Sequence, residues 1–408
     1  MPVKGPPGEA AVMSRATVDL ANPLVRNMGP LSDRKSPSTL DMKLPPDTRL
    51  VSADNHWELS EDIFYEHFPQ RLKDKAPRVW FDKFWRIGYR GQLEALPIGE
   101  RVQRSIPRTT GEGVWKPDVR YRDLDLEGVQ EELVFPNTLI GFARYPEPEV
   151  QQQMYSVYNR YYAADLISRN PRSHAVAIFN NWWDPVAAEN AMREIVDLGL
   201  KSFMLPVNPG KSTNGKEISY GDPVMDRFWD VVAEAGLPVC YHVGEGTDVE
   251  HRGGHGALLM TLLAPFRKPF GQLVFGGVFD RHPNLKVVFA EGGIAWVPPA
   301  LQDAELIFDS FGNDDIIEHI DHRPSHYWHN NCYATFQSDP LGLNQLDIIG
   351  ADRIMWATDY PHTEGAFGYG REAVRAIVDA TSADDARAIL GHTAIKVFKI
   401  QNQSNGHR

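Results

Sequence analysis

The stretch DPVMDRFWDVVAEAGLPVCYHVG, residues 222–244, holds one complete helix-to-strand unit. Asp222 is a side-chain acceptor suited to an N-cap, Pro223 is preorganised for the first helical position, and Gly236 can take a left-handed stop. Between them Met225, Phe228, Trp229 and Val232 recur at helical spacing and make one apolar stripe. The run that follows, PVCYHVG, is almost continuously apolar, as in a strand buried on both faces, and it ends on His242.

The same punctuation recurs in DPVAAENAMREIVDLGL, residues 184–200, with Asp184, Pro185 and Gly199. Seven more β-rich runs resemble the strand: RLVSADNH (49–56), ELVFPNT (132–138), SHAVAIFN (173–180), SFMLPVN (202–208), KVVFAEGG (286–293), NCYATFQSD (331–339) and RIMWATDYPH (353–362). Apolar strands alternating with amphipathic helices imply a parallel sheet covered by helices, and eight units predict an α/β fold closed into a (β/α)8 TIM-type barrel. An open, doubly wound sheet is the alternative. The barrel is expected over residues 47–400, with an insertion at about 57–131 after strand 1, near the active-site mouth. Residues 1–46, rich in Pro, Gly and Ser, read as an extended or flexible arm, and 401–408 as a tail.

Composition narrows the function. At 42% hydrophobic and 24% charged, the chain is that of a globular protein, and its net charge of −12 argues against nucleic-acid binding. No apolar run is long enough to cross a membrane and the first thirty residues lack a signal-peptide core, so a cytoplasmic protein without membrane contact is expected. Cys240 and Cys332 both lie in apolar runs, as buried thiols do. Residues 71–122 carry thirteen Lys/Arg against six Asp/Glu, and they include Trp80, Trp85 and Trp115. This stretch is either a solvated insertion or a lid that attracts an anionic ligand with an apolar part, such as an acyl-CoA.

In a parallel barrel the C-terminal strand ends meet at one mouth. Strand 1 ends with Asp54 and His56, two residues apart and therefore on one face; strand 5 ends with His242, strand 6 with Glu291, and strand 8 with Asp359 followed by His362. Taken alone, Asp54 and His56 could be a turn residue and a solvated imidazole. Converging carboxylates, however, repel one another unless a cation is present. These donors suit Zn, Fe(II) or Mn(II), and ligand type does not choose among them.

SADNH, YHVGEG, HPNLKVVFAEGGIAWVP and MWATDYPH, in this order, resemble the amidohydrolase superfamily, in particular the amidohydrolase-related branch that includes metal-dependent hydrolases and decarboxylases. The resemblance implies that Asp54 and His56 stand at the strand 1 ligand pair, His242 at the strand 5 ligand and Asp359 at the strand 8 acid. Strand 4 lacks the lysine of dinuclear relatives, which implies one metal per chain. Where many relatives place a histidine on strand 6, this chain has Glu291, which can be a ligand, a general base or a structural partner of an arginine.

Metal-activated water predicts hydrolysis of an ester, thioester, lactone or amide; the resemblance implies that Asp359 moves the proton, with Glu291 second in line. The alternative is non-oxidative decarboxylation of an aromatic or unsaturated acid, against which a carboxylate at 291 adds repulsion. A small-molecule substrate and a homo-oligomer are expected. Trp57, Trp85 and Trp115 are candidates for an apolar pocket wall, with core packing as the alternative. His251, Arg252, His255 and His362 are candidates for substrate contact, although the Gly-rich loop at 244–257 reads more readily as mobile with solvated histidines. His326 and His329 precede strand 7 and read as structural.

Overall fold

The computed structural model describes residues 39–59, 62–81, 85–89, 116–137, 148–179, 184–211, 215–244, 265–312, 319–362 and 365–401, with the single positions 113, 139, 257 and 260. The strands are β1 (Val51–Trp57), β2 (Pro77–Phe81), β3 (Trp85–Tyr89), β4 (Glu131–Pro136), β5 (Ser173–Ala175), β6 (Ala177–Ile178), β7 (Phe203–Leu205), β8 (Val239–His242), β9 (Val287–Ala290), β10 (Cys332–Phe336) and β11 (Ile354–Trp356). One parallel sheet runs β1-β4-β5 and a second runs β6-β7-β8-β9-β10-β11. They join through Val176, where the chain changes partner: Val176 N donates to Val134 O at 2.8 Å and Ala177 N to Ser202 O at 3.0 Å. β5 and β6 are thus two halves of one strand, which gives the eight expected from the sequence.

The ring closes through the chain just beyond β11. Asp359 N donates to Asp54 O at 2.9 Å, His56 N to Tyr360 O at 2.7 Å, and Thr358 N to Ser52 Oγ at 2.8 Å. The first and last strand units are therefore neighbours, as an α/β barrel requires.

The helices follow their caps. Asp184 accepts from Val186 N and Ala187 N ahead of helix Pro185–Asp197, and Gly199 takes φ 76° beyond its end. Asp222 accepts from Val224 N, but the first turn, Pro223–Met225, is a 3-10 turn because Met225 N bonds back three residues to Asp222 O. Helix Asp226–Ala235 follows, with Phe228, Trp229 and Val232 buried. Cys240 and Cys332 are free and buried. No described helix is long and apolar enough to cross a membrane.

Between β1 and β4 the described residues form helix Ile63–His67, a 3-10 turn Gln70–Lys75, the antiparallel hairpin β2-β3 and helix Pro117–Glu127. That last helix, inside the stretch read as an insertion, is the crossover that leads back to the barrel. Most of the arm (1–38), most of the basic segment (90–112 among others), most of the loop (245–256) and most of the tail (402–408) lie outside the described residues.

Candidate metal centre

The pairing of β1 with β4 shifts register between Ser52 and Asn55, a bulge that bends the strand where its chemistry begins. Asn55 holds the bend. Its Oδ1 accepts from Ser52 Oγ (2.9 Å), Thr358 Oγ1 (2.6 Å) and Tyr360 N (2.9 Å), while its Nδ2 donates to Glu132 Oε2 (2.7 Å). Behind it Arg120 grips Glu132 in two charge-assisted bonds of 2.8 and 2.7 Å and donates to His56 O at 2.8 Å. β1 is thereby fixed against both β4 and the segment that carries Asp359.

The polar strand ends converge. His56 Nε2 lies 3.2 Å from Asp359 Oδ1 and 3.6 Å from Asp54 Oδ1, and His242 Nε2 lies 3.2 Å from Asp54 Oδ1. Glu291 Oε2 is 3.4 Å from His242 Nδ1 and its Oε1 is 3.6 Å from His362 Nδ1, which in turn is 2.9 Å from Asp359 Oδ1. Thr335, on β10, donates to Asp54 Oδ2 at 3.4 Å and accepts from Glu291 N at 2.8 Å. His242 Nδ1 also lies 2.7 Å from Val243 O.

These residues fit a cation by a direct test. Both ring nitrogens of His56, both carboxylate oxygens of Asp359 and Nδ1 of His362 are buried and make no well-aligned hydrogen bond, although His56 Nε2 and His362 Nδ1 crowd Asp359 Oδ1 at 3.2 and 2.9 Å. Buried lone pairs are left unmatched at considerable cost unless something electropositive meets them. Among the described residues two sets offer ligand atoms within 4.8 Å of one another: His56, Glu291, Asp359 and His362, and Asp54, His56 and His242. His56 belongs to both.

The electrostatics agree. Burial raises Asp54, with His242 offsetting part of the rise, while burial and then the Asp359 charge push Glu291 up to about 8. Burial alone would lower His242, but Asp54 outweighs it and brings the ring to about 9; Asp359 likewise overrides burial at His362 and raises it. Burial, followed by His362, drives His56 down, so that ring stays neutral. At Asp359 burial is outweighed by His362 and His56, which hold the carboxylate below its ordinary range. With only the protein's own charges, protons on imidazoles neutralise the carboxylates; a divalent ion would displace them.

All six strand-end residues singled out from the sequence, Asp54, His56, His242, Glu291, Asp359 and His362, meet in this cluster. Trp57 does not line an open pocket: it is 5% exposed and packs in the core with the Arg120 guanidinium 4.9 Å from its ring. Trp85 lies on β3, and its side chain, like Trp115, His251, Arg252 and His255, is outside the described residues. His326 and His329 lie on helix Pro324–Asn331, which leads into the opposite end of β10. Asn55, Arg120, Glu132, Thr335, Glu58 and Asn137 were not singled out from the sequence. Asn137 alone carried a usable signal, since it stands at the C-terminal end of β4, at the mouth.

A family model described as amidohydrolase matches residues 83–400. Among curated proteins, 2-amino-3-carboxymuconate-6-semialdehyde decarboxylase of Dictyostelium discoideum is 23% identical over 331 residues, 78% of this chain and 88% of its own length. Gamma-resorcylate decarboxylase of Rhizobium sp. is 22% identical over 297 residues, 66% of this chain and 86% of its own. Among solved structures, an amidohydrolase of Mycobacterium avium subsp. paratuberculosis superposes with a TM-score of 0.68 at 20% identity, over 86% of this chain and 99% of that one. A 5-carboxyvanillate decarboxylase of Novosphingobium aromaticivorans, solved with bound manganese and 3-methoxy-4-hydroxy-5-nitrobenzoic acid, gives 0.63 at 16% identity over 88% and 100%. The structural likeness bears on the fold, and the model match covers most of the sequence: the chain belongs to the amidohydrolase family.

Proposed function

We propose that the chain is a metal-dependent, non-oxidative decarboxylase of an aromatic or unsaturated carboxylic acid. The observation that carries this reading is that the two curated relatives named above are decarboxylases matched over most of their own length, one named for an unsaturated acid and the other for an aromatic one. It replaces the hydrolase favoured from sequence, whose ester and thioester substrates find no support among those relatives. The repulsion expected from Glu291 is also reduced, because its two oxygens face His242 and His362.

Asp54, His56, His242 and Asp359 are the ligands we assign, with Glu291 beside them. A Zn, Fe(II) or Mn(II) ion bound there would supply positive charge to chelate the substrate carboxylate and a neighbouring oxygen. In the reaction the bond between carbon and carboxyl breaks, CO2 leaves, and the electron pair left behind takes up a proton. We assign its delivery to Glu291, whose carboxyl lies beside the assigned ligands without being one of them, 3.4 Å from His242 Nδ1 and 3.6 Å from His362 Nδ1.

The test is to load the purified chain with Mn(II) and offer ortho-hydroxybenzoates and amino- or hydroxy-substituted unsaturated acids alongside aryl esters and acyl thioesters. CO2 release from an acid, lost on chelation and restored by the metal, is the expected result. Ester or thioester cleavage without CO2 release from any acid would return the reading to hydrolysis.

A further inference from the structure

His362 has one ring nitrogen inside the cluster and one outside. Outside, Nε2 lies 3.2 Å from Asn137 Oδ1, and Asn137 Nδ2 donates to Glu58 Oε2 at 2.9 Å. Glu58 is 1% exposed; its other oxygen accepts from Leu59 N at 3.2 Å, and its backbone carbonyl accepts from Tyr162 Oη at 2.7 Å. Tyr162 belongs to a π-turn, Tyr158–Ala163, whose Tyr158 Oη donates to Val176 O and whose Asn159 side chain pairs with both N and O of Ile178. The support therefore rests on barrel backbone, and π-turns often occur at such functional positions.

The direction of each bond follows from chemistry. A carboxylate only accepts, so Asn137 must present its NH2 to Glu58 and its carbonyl oxygen to His362. An amide oxygen only accepts, so His362 must carry a hydrogen on Nε2. In the neutral ring the lone pair then resides on Nδ1, which faces Asp359 Oδ1 at 2.9 Å and Glu291 Oε1 at 3.6 Å. The ring also lies against that of His56, with centroids 4.1 Å apart, so it has little room to turn.

We propose that Glu58 and Asn137 are positioning residues that fix His362 as its Nε2–H tautomer and so present its Nδ1 as a further ligand to the divalent ion. This rests on the metal reading of the site but not on which reaction the site performs.

Glu58→Gln tests the polarity without changing the shape. The carbonyl of the introduced amide stays on Leu59 N, so its NH2 faces Asn137; the Asn137 amide must turn over, and its own NH2 then meets His362 Nε2. The proton is driven onto Nδ1 and the lone pair leaves the cluster. In the exchanged pair, Glu58→Gln with Asn137→Asp, the introduced amide donates its NH2 to one oxygen of the introduced carboxylate. The other oxygen accepts from His362 Nε2–H, so the original tautomer returns.

The measurement is the Mn(II) dissociation constant by equilibrium dialysis, with apoprotein thermal midpoints recorded to verify folding. Glu58→Gln is expected to weaken Mn(II) binding roughly tenfold or more, and the exchanged pair to recover to within about threefold of wild type. The proposal is overturned if Glu58→Gln binds Mn(II) like wild type, or if the exchanged pair binds as weakly as Glu58→Gln. Failure of decarboxylation with this order of affinities intact would instead count against the proposed reaction alone.

Discussion

Glu291 and Asp359 both hold a left-handed backbone, at φ 68° and 53°. For a side-chain-bearing residue this costs about 1–3 kcal/mol, and such strain persists where function requires it. Glu291 is the sharper case, since its side chain gains little from local bonding and its carboxyl is desolvated. Glu291→Gly relieves the backbone and removes the buried acid. We expect an apoprotein thermal midpoint at or above that of wild type, with decarboxylation reduced at least about a hundredfold through loss of the proton donor. A lower midpoint would show that no strain is stored there. Asp359→Asn retains the shape but removes a charge facing His56 and His362; both Mn(II) affinity and kcat should fall, kcat by several orders of magnitude. Near-normal turnover in metal-loaded Asp359→Asn would remove that residue from the proposed site.

Helix Pro117–Glu127 presents Arg120, Leu124 and Glu127 to the interior, a buried face with two ionisable side chains in three. Arg120 and Glu132 are fully buried and their pairing holds the end of β1, so removing one partner strands the other. Arg120→Met is expected to lower stability by about 3–5 kcal/mol in urea unfolding, and Arg120→Met with Glu132→Leu to recover part of that loss. A single variant as stable as wild type would mean that Asn55 and Ser173, which also bond Glu132, suffice to hold it. This face also explains what the sequence concealed. Periodicity detects helices through apolar stripes, so Asp226–Ala235 is legible and Pro117–Glu127 is absorbed into an apparent insertion. The eight strand runs were legible because strands buried on both faces are written almost wholly in apolar residues. The six polar strand ends were legible because parallel topology places them together. Asn55, Glu58 and Thr335 were not, because a single polar residue acquires meaning only from the atom it faces, and that partner lies far away in sequence.

At the scale of the whole molecule, closure brings the first crossover helix against the helix that follows the last strand. Glu127 Oε1 accepts from Gly368 N at 2.7 Å just ahead of helix Gly370–Ala380, and a side chain at Gly370 would run into its other oxygen. That second oxygen is buried without a hydrogen-bond partner. Burial, with Glu372 nearby, pushes the Glu127 carboxyl to about 7 from its ordinary 4.5, so the folded chain binds a proton that the unfolded chain has released. The contribution to stability is fully present below about pH 4.5, falls as pH rises, and is gone above about pH 7. A shift of this size corresponds to about 3 kcal/mol across that interval. Glu127→Gln keeps the shape of the neutral acid and does not titrate. Its stability relative to wild type should therefore increase from pH 5 to pH 8 and then level off, as read from urea midpoints of apoprotein at each pH. A constant difference across the range would mean that Glu127 is ionised in the folded chain at every pH, and the junction between the first and last units of the barrel would then hold a buried charge rather than a proton.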